Sequence, residues 1–264
     1  MNIRRVTGLS LSLVAAAGVV ASLAAQSIDS DVAALLDYSE LESVLATLPD
    51  GIRATLGQLS SDPLPEAVSA ALDRQFSVTS LRRIMETQFT AQGDDSMIVA
   101  AAQLVQTGAI KSVQDLIRQG EPDSSLEEYA ASLNTSPPPQ ERIQLVAQIA
   151  SVQLAGDFYV VLNERTLQAA HTIAAVAWPG APPYEPPTDE ALVARAQQNL
   201  MGAVVTFLWQ YQAIDDALLQ RALEEWSSDP GAWYSRAYTL ALADTITLAA
   251  EAVAADVAPR SNPS

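Results

Sequence analysis

The sequence predicts an all-α multi-helix bundle. Three observations lead there. Apolar residues recur at three- and four-residue spacing along most of the chain, and Ala, Leu, Gln, Glu and Arg dominate the periodic segments. No run of four to eight residues carries the β-branched alternation of a strand.

Residues 31–46 form the first expected helix, with Val32, Leu35, Leu36 and Leu45 apolar and Ser39-Glu40-Leu41-Glu42 patterned as an internal capping box. Pro49-Asp50-Gly51 is expected to turn the chain ahead of a face made by Ile52, Leu56 and Leu59. Asp62-Pro63 has the chemistry of a helix start, because the carboxylate accepts free amides and a proline at the first position gives up no hydrogen bond. Ser77 opens the next helix, which carries Leu81, Ile84, Met85 and Phe89 and ends at Gly93. Asp94 then caps a segment with Met97, Ile98, Ala101 and Leu104. Gly108 and Gly120 bound a short helix through Val113, Leu116 and Ile117, and Ser124-Ser125-Leu126-Glu127 reads as a second capping box.

Asn134 to Pro139 contains three consecutive prolines and must be a rigid connector. The expected organisation is therefore a helical unit over 28–133, a linker at 134–139, and a second helical unit over 140–257. Gln140 to Trp178 runs without proline and is apolar on most faces, which marks the central, buried helix; Gly156 is the expected kink or split. A proline-rich loop at 178–188 precedes a helix from Asp189 to Ala213. Asp215 caps the next helix, where Leu219, Ala222, Leu223 and Trp226 share a face, and Ser228-Asp229-Pro230-Gly231 separates it from the last. Residues 258–264 are expected to be a frayed tail.

Gln88-Phe89-Thr90-Ala91-Gln92-Gly93-Asp94-Asp95 can be laid on Gln210-Tyr211-Gln212-Ala213-Ile214-Asp215-Asp216 with a one-residue gap, which suggests two related units. The order Asp215-Asp216, Leu219, Leu223, Trp226, Ser228-Asp229-Pro230-Gly231 and Trp233-Tyr234 resembles the bacterial family called domain of unknown function 2059. Asp229 interrupts the Ser-Pro adjacency of that family, and its aromatic-Tyr pair is replaced here by Glu225-Trp226. Residues 31–113 resemble the same layout more faintly. The resemblance implies a secreted, all-helical domain and brings no catalytic residues with it.

The 31 Asp plus Glu against 14 Lys plus Arg give a formal charge of −17, which argues against nucleic acid as a partner, since neutralising phosphates takes clustered cations. With no Cys there is no disulfide, no thiolate metal site and no lipid-modified cysteine anchor. Residues 1–24 have the parts of a secretory signal: Arg4 and Arg5, then an uncharged apolar stretch, then Ser22-Leu23-Ala24 with small residues where the peptidase needs them. Cleavage is expected after Ala24, with Ala25 the neighbouring alternative. The exported product would be periplasmic or extracellular and not stably inserted in the membrane; the alternative is an uncleaved N-terminal anchor in the inner membrane. Losing Arg4 and Arg5 takes the charge from −17 to −19.

No cofactor or metal motif is present. His171, the lone histidine, sits in an apolar helical stretch and is expected to be a hydrogen-bonded structural residue. Four adjacent carboxylate pairs, Asp94-Asp95, Glu127-Glu128, Asp215-Asp216 and Glu224-Glu225, could in principle serve an exported glycan or peptide hydrolase. Neighbours on a helix diverge by about 100°, however, and the Asp pairs suit helix starts. The aromatic residues are more suggestive, because 11 of the 15 follow residue 150. Trp209, Tyr211, Trp226, Trp233, Tyr234 and Tyr238 fall on three successive helices, where they could converge into a face for a protein or small ligand of the cell envelope. A non-enzymatic binding module is the expected class, with core packing the competing role for these rings.

Overall fold

Residues 28–120 and 124–258, described by a computed structural model, form twelve α-helices with no strand among them. Residues 31–46 are not one helix, because α1 (28–38) and α2 (Leu41–Leu59) are separated at Ser39-Glu40. Glu40 takes a left-handed conformation (φ 53°, ψ 37°), and the Ser39 hydroxyl donates to Leu36 O at 2.8 Å, so the expected capping box does not form. Pro49, in turn, lies inside α2 rather than in a turn. Leu41, Leu45, Leu48, Ile52 and Leu56 make one continuous buried stripe across it. Each of these side chains is worth roughly 1.5–3 kcal/mol buried, which together exceeds the roughly 3 kcal/mol cost of an interior proline.

α3 (Glu66–Gln75) starts later than Asp62-Pro63 suggests. Leu64 precedes Pro65, and a residue before proline avoids helical geometry, so the helix waits for Pro65 as its N-cap. α4 (Val78–Thr90) and α5 (Asp95–Thr107) begin as expected, with the Ser77 hydroxyl accepting from Ser80 N and the Asp94 carboxylate from Met97 N. α6 (Ala109–Gln119) lies between its two glycines, and α7 (Leu126–Ser132) is capped one residue later than expected, by Ser125 and Glu128. The Ser124 carbonyl is instead engaged by the Trp209 indole N–H at 2.8 Å.

α8 (Gln140–Val152) and α9 (Ala155–Ala177) divide the long proline-free segment with a bend of 43°. The division falls at Gln153-Leu154, with Leu154 left-handed at φ 55°, and not at Gly156. Gly156 serves a different need: a Cβ there would lie 2.4 Å from Ala196 O, so its bare backbone lets α9 meet α10 (Asp189–Gln210). That helix stops at Gln210, short of Ala213. Asp215 then caps α11 (Asp216–Trp226), and Ser228 caps α12 (Asp229–Val257). Among the described residues no single helix is long and apolar enough to cross a membrane.

The central helix is α12, not the 140–178 segment. Fourteen of its 29 residues are buried, against eight of the 23 in α9, and it packs on α3, α4, α5, α9 and α11. Its interior is made largely of Ala, Ser and Thr, and the hydroxyls of Ser235, Thr239 and Thr245 donate back to carbonyls one turn earlier, so burial leaves them satisfied. Helices on both sides of the 134–139 connector share this one core. Arg82 of α4 fixes the first break, reaching Asp37 on one side of it at 2.8 Å and Glu42 on the other at 3.0 Å.

Two glycines should respond oppositely to alanine. Gly57 is exposed within α2, and nothing lies within 4 Å of where an added methyl would stand, so Gly57→Ala should gain about 0.5–1 kcal/mol. Gly156→Ala should lose about 1–3 kcal/mol by forcing α9 from α10. Urea midpoints at unchanged m-value check both.

Candidate functional site

The two left-handed breaks, at Glu40 and Leu154, border the same space. α6, α10, α11 and α12 close it, and the resulting cavity has a volume of about 390 Å³. Eight aromatic rings line it. Tyr38 comes from the end of α1, Phe158 and Tyr159 from the first turn of α9, and Phe207 and Tyr211 from the end of α10. Trp226 of α11 joins Tyr234 and Tyr238 of α12 to complete the wall.

Tyr234 is the hub. Its ring stacks on Trp226 (centroids 5.7 Å apart, 30° between planes), meets Tyr38 edge-on at 6.2 Å, and lies 6.2 Å from Tyr238. Its hydroxyl donates to Leu35 O at 2.9 Å. Tyr238 stacks on Phe158 at 5.8 Å. The Tyr238 hydroxyl is buried with no partner within hydrogen-bond distance; the Ser39 hydroxyl, which donates to Leu36 O, is the polar group near enough to influence it. Burial pushes the hydroxyls of Tyr38, Tyr211, Tyr234 and Tyr238 up from the ordinary tyrosine value, and the partial charge of Tyr211 adds to the effect at Tyr38.

Four of the six rings expected on a binding face, Tyr211, Trp226, Tyr234 and Tyr238, do line this cavity, but they do so from the interior. The exposed aromatic face is therefore corrected to an internal wall, because the helix that carries Tyr234 and Tyr238 is itself the centre of the bundle. Trp209 and Trp233 do not contribute. Trp209 bonds Ser124 O, while Trp233 covers Gly93 and donates to Gln92 O at 3.2 Å. Tyr38, Phe158, Tyr159 and Phe207 lie outside the expected set. The last three carry a visible aromatic signal, whereas Tyr38 arrives from a helix nearly two hundred residues away from its partners.

Each carboxylate pair commits at least one member to a helix end. Asp94 and Asp215 cap α5 and α11, and the Ser96 hydroxyl and Met97 amide hold the Asp94 carboxyl below its usual range. Glu128 completes its capping box. Asp216 pairs with Arg142, which also reaches the carbonyls of Tyr211 and Ile214. Glu225 does the most: its two oxygens accept from Ala109 N at 2.8 Å and Ile110 N at 2.9 Å, so α11 supplies the anion for the amino end of α6. His171 places Nδ1 2.9 Å from Pro182 O and packs near Tyr184, whose hydroxyl donates to Glu164 at 2.6 Å; together they hold the 178–188 loop against α9. Burial and that bond push Tyr184 up to about 12. Among the described residues no three acidic or histidine side chains gather to hold a metal ion. The expected cleavage site at Ala24 and Ala25 lies outside the described residues.

No family model, curated protein or solved structure matches this chain.

Two measurements follow from these assignments. Glu225→Ala should destabilise by about 1–3 kcal/mol, because two α6 amides lose a charged acceptor, while Glu224→Ala, on the exposed side of α11, should fall within about 0.5 kcal/mol of wild type in the same denaturation assay. In alkali, the unfolded chain releases tyrosine protons from about pH 10, while the native cavity tyrosines keep theirs. The unfolded state then binds fewer protons, so stability is complete below about pH 10 and falls as pH rises. Absorbance of tyrosinate should appear late and together with loss of ellipticity.

Proposed function

We propose that the protein is an exported, non-enzymatic binding module whose cavity takes up a small molecule with an apolar body. The convergence of eight rings from five helices on one internal space is the observation that carries this reading. At about 390 Å³ the cavity falls within the roughly 300–1,000 Å³ of small-molecule sites, and such sites pair an apolar wall with few polar groups. The unpartnered Tyr238 hydroxyl fits that description, since a buried donor without an acceptor costs about 1–3 kcal/mol unless a bound group or water supplies one. Export rests on the signal-like pattern of residues 1–24, and the layout similar to domain of unknown function 2059 is in keeping with it. A protein partner of the envelope is a weaker fit, because the aromatic side chains turn inward.

The neutral fluorophore N-phenyl-1-naphthylamine tests the reading. It should bind with one-to-one stoichiometry and blue-shifted emission. Ala203→Leu, which adds bulk at a buried wall position, should weaken binding at least tenfold while near-ultraviolet ellipticity stays native. Non-saturable binding, or binding indifferent to Ala203→Leu, would overturn it.

A further inference from the structure

We propose that the molecule this cavity selects is a small organic cation, of the quaternary or aryl-ammonium kind, held on the aromatic wall with the Glu40 carboxylate as its counter-charge. This rests on the binding reading above and specifies it. Glu40 is the one charged residue in the lining, and no Lys, Arg or His stands there. A carboxylate or phosphate ligand would lose its hydration and meet the Glu40 carboxylate, with Arg118 outside the lining and already facing that carboxylate, which is a heavy desolvation cost. A cation, by contrast, is attracted to aromatic rings, eight of which line the space, and that attraction grows as water is excluded.

Glu40 sits where such a charge is needed. It occupies the break between α1 and α2, and its left-handed backbone is one that a non-glycine residue adopts only at a cost. With its side chain 59% exposed, Glu40 shares the open side of the cavity with Tyr159, itself 47% exposed. Its existing contacts are loose: Gln114 Nε2 approaches Oε1 at 3.3 Å and Arg118 Nε at 3.8 Å, and a half-exposed pair of that length holds little energy. Near Tyr38 the Arg118 guanidinium lowers the hydroxyl, and Glu225, a second carboxylate behind the wall, opposes it together with Glu40.

Helix ends offer no competing anion site. Neither α2 nor α9 has a side-chain cap, but at each break the amide end of one helix abuts the carbonyl end of the helix before it, and the opposed partial charges offset one another. At longer range the formal charge of −17 concentrates cations around the whole molecule.

A pair of probes that differ only in charge tests the inference. Benzyltrimethylammonium and its carbon isostere, (2,2-dimethylpropyl)benzene, are each titrated against protein loaded with N-phenyl-1-naphthylamine at low salt. The cation should displace the fluorophore with a Kd about tenfold lower than the isostere. Glu40→Gln should reduce that preference to about threefold. Equal or tighter binding of the isostere would overturn the cation inference and leave the binding module standing. A cation preference that survives Glu40→Gln in full would remove Glu40 from the proposal. Failure of the fluorophore and both probes to bind would overturn the module itself.

Discussion

The structure depends on packing five helices around the buried faces of one, which keeps a single exposed stripe through Arg236, Leu240, Asp244 and Leu248. α12 touches α3, α4, α5, α9 and α11, and neighbours can surround a rod this way only if its side chains are short. Ala237, Ala241, Ala249 and Ala250 meet that requirement, and the threonines and serines among them turn their hydroxyls back onto the helix's own carbonyls. At Tyr234 and Tyr238, the bulkiest buried side chains of the helix, the surrounding helices stand further off. The cavity lies there, with the two rings as its inner wall.

Its outer boundary is built from two backbone interruptions that local sequence does not favour. Glu40 and Leu154 each hold a left-handed conformation costing about 1–2 kcal/mol in a non-glycine residue. The surroundings over-determine the first, because Arg82 bridges Asp37 and Glu42 across it. The second is held by packing of α8 and α9 on α10. Long-range polar contacts complete the frame: Glu225 secures the start of α6, and Arg142 the end of α10. The acidic side chains that look like chemistry in the sequence are, in space, the fasteners of helix ends.

Much of the helical punctuation was legible because capping is local. Ser77, Asp94 and Asp215 each accept an amide at the helix start expected from neighbouring residues. The failures share a different cause. Pro49 and Gly156 look like interruptions, yet long-range burial carries α2 through the one, and α10 explains the other. Ser39-Glu40 and Gln153-Leu154 contain neither proline nor glycine and give no local sign of a break. Hydrophobicity pointed to the Val- and Leu-rich 140–178 segment as the centre, whereas centrality is decided by side-chain size as much as by polarity. For the site, clustering along the chain located Tyr211, Trp226, Tyr234 and Tyr238, but only tertiary packing could add Tyr38.

The position of α12 also bears on timing. It is made last of the twelve helices, and its contacts run from Gln92, where Trp233 docks, to Arg74, which Asp256 meets at 3.1 Å. During synthesis, α3, α4 and α5 therefore have no axis to pack on until α12 has been made, so their burial comes late whatever order the helices themselves form in.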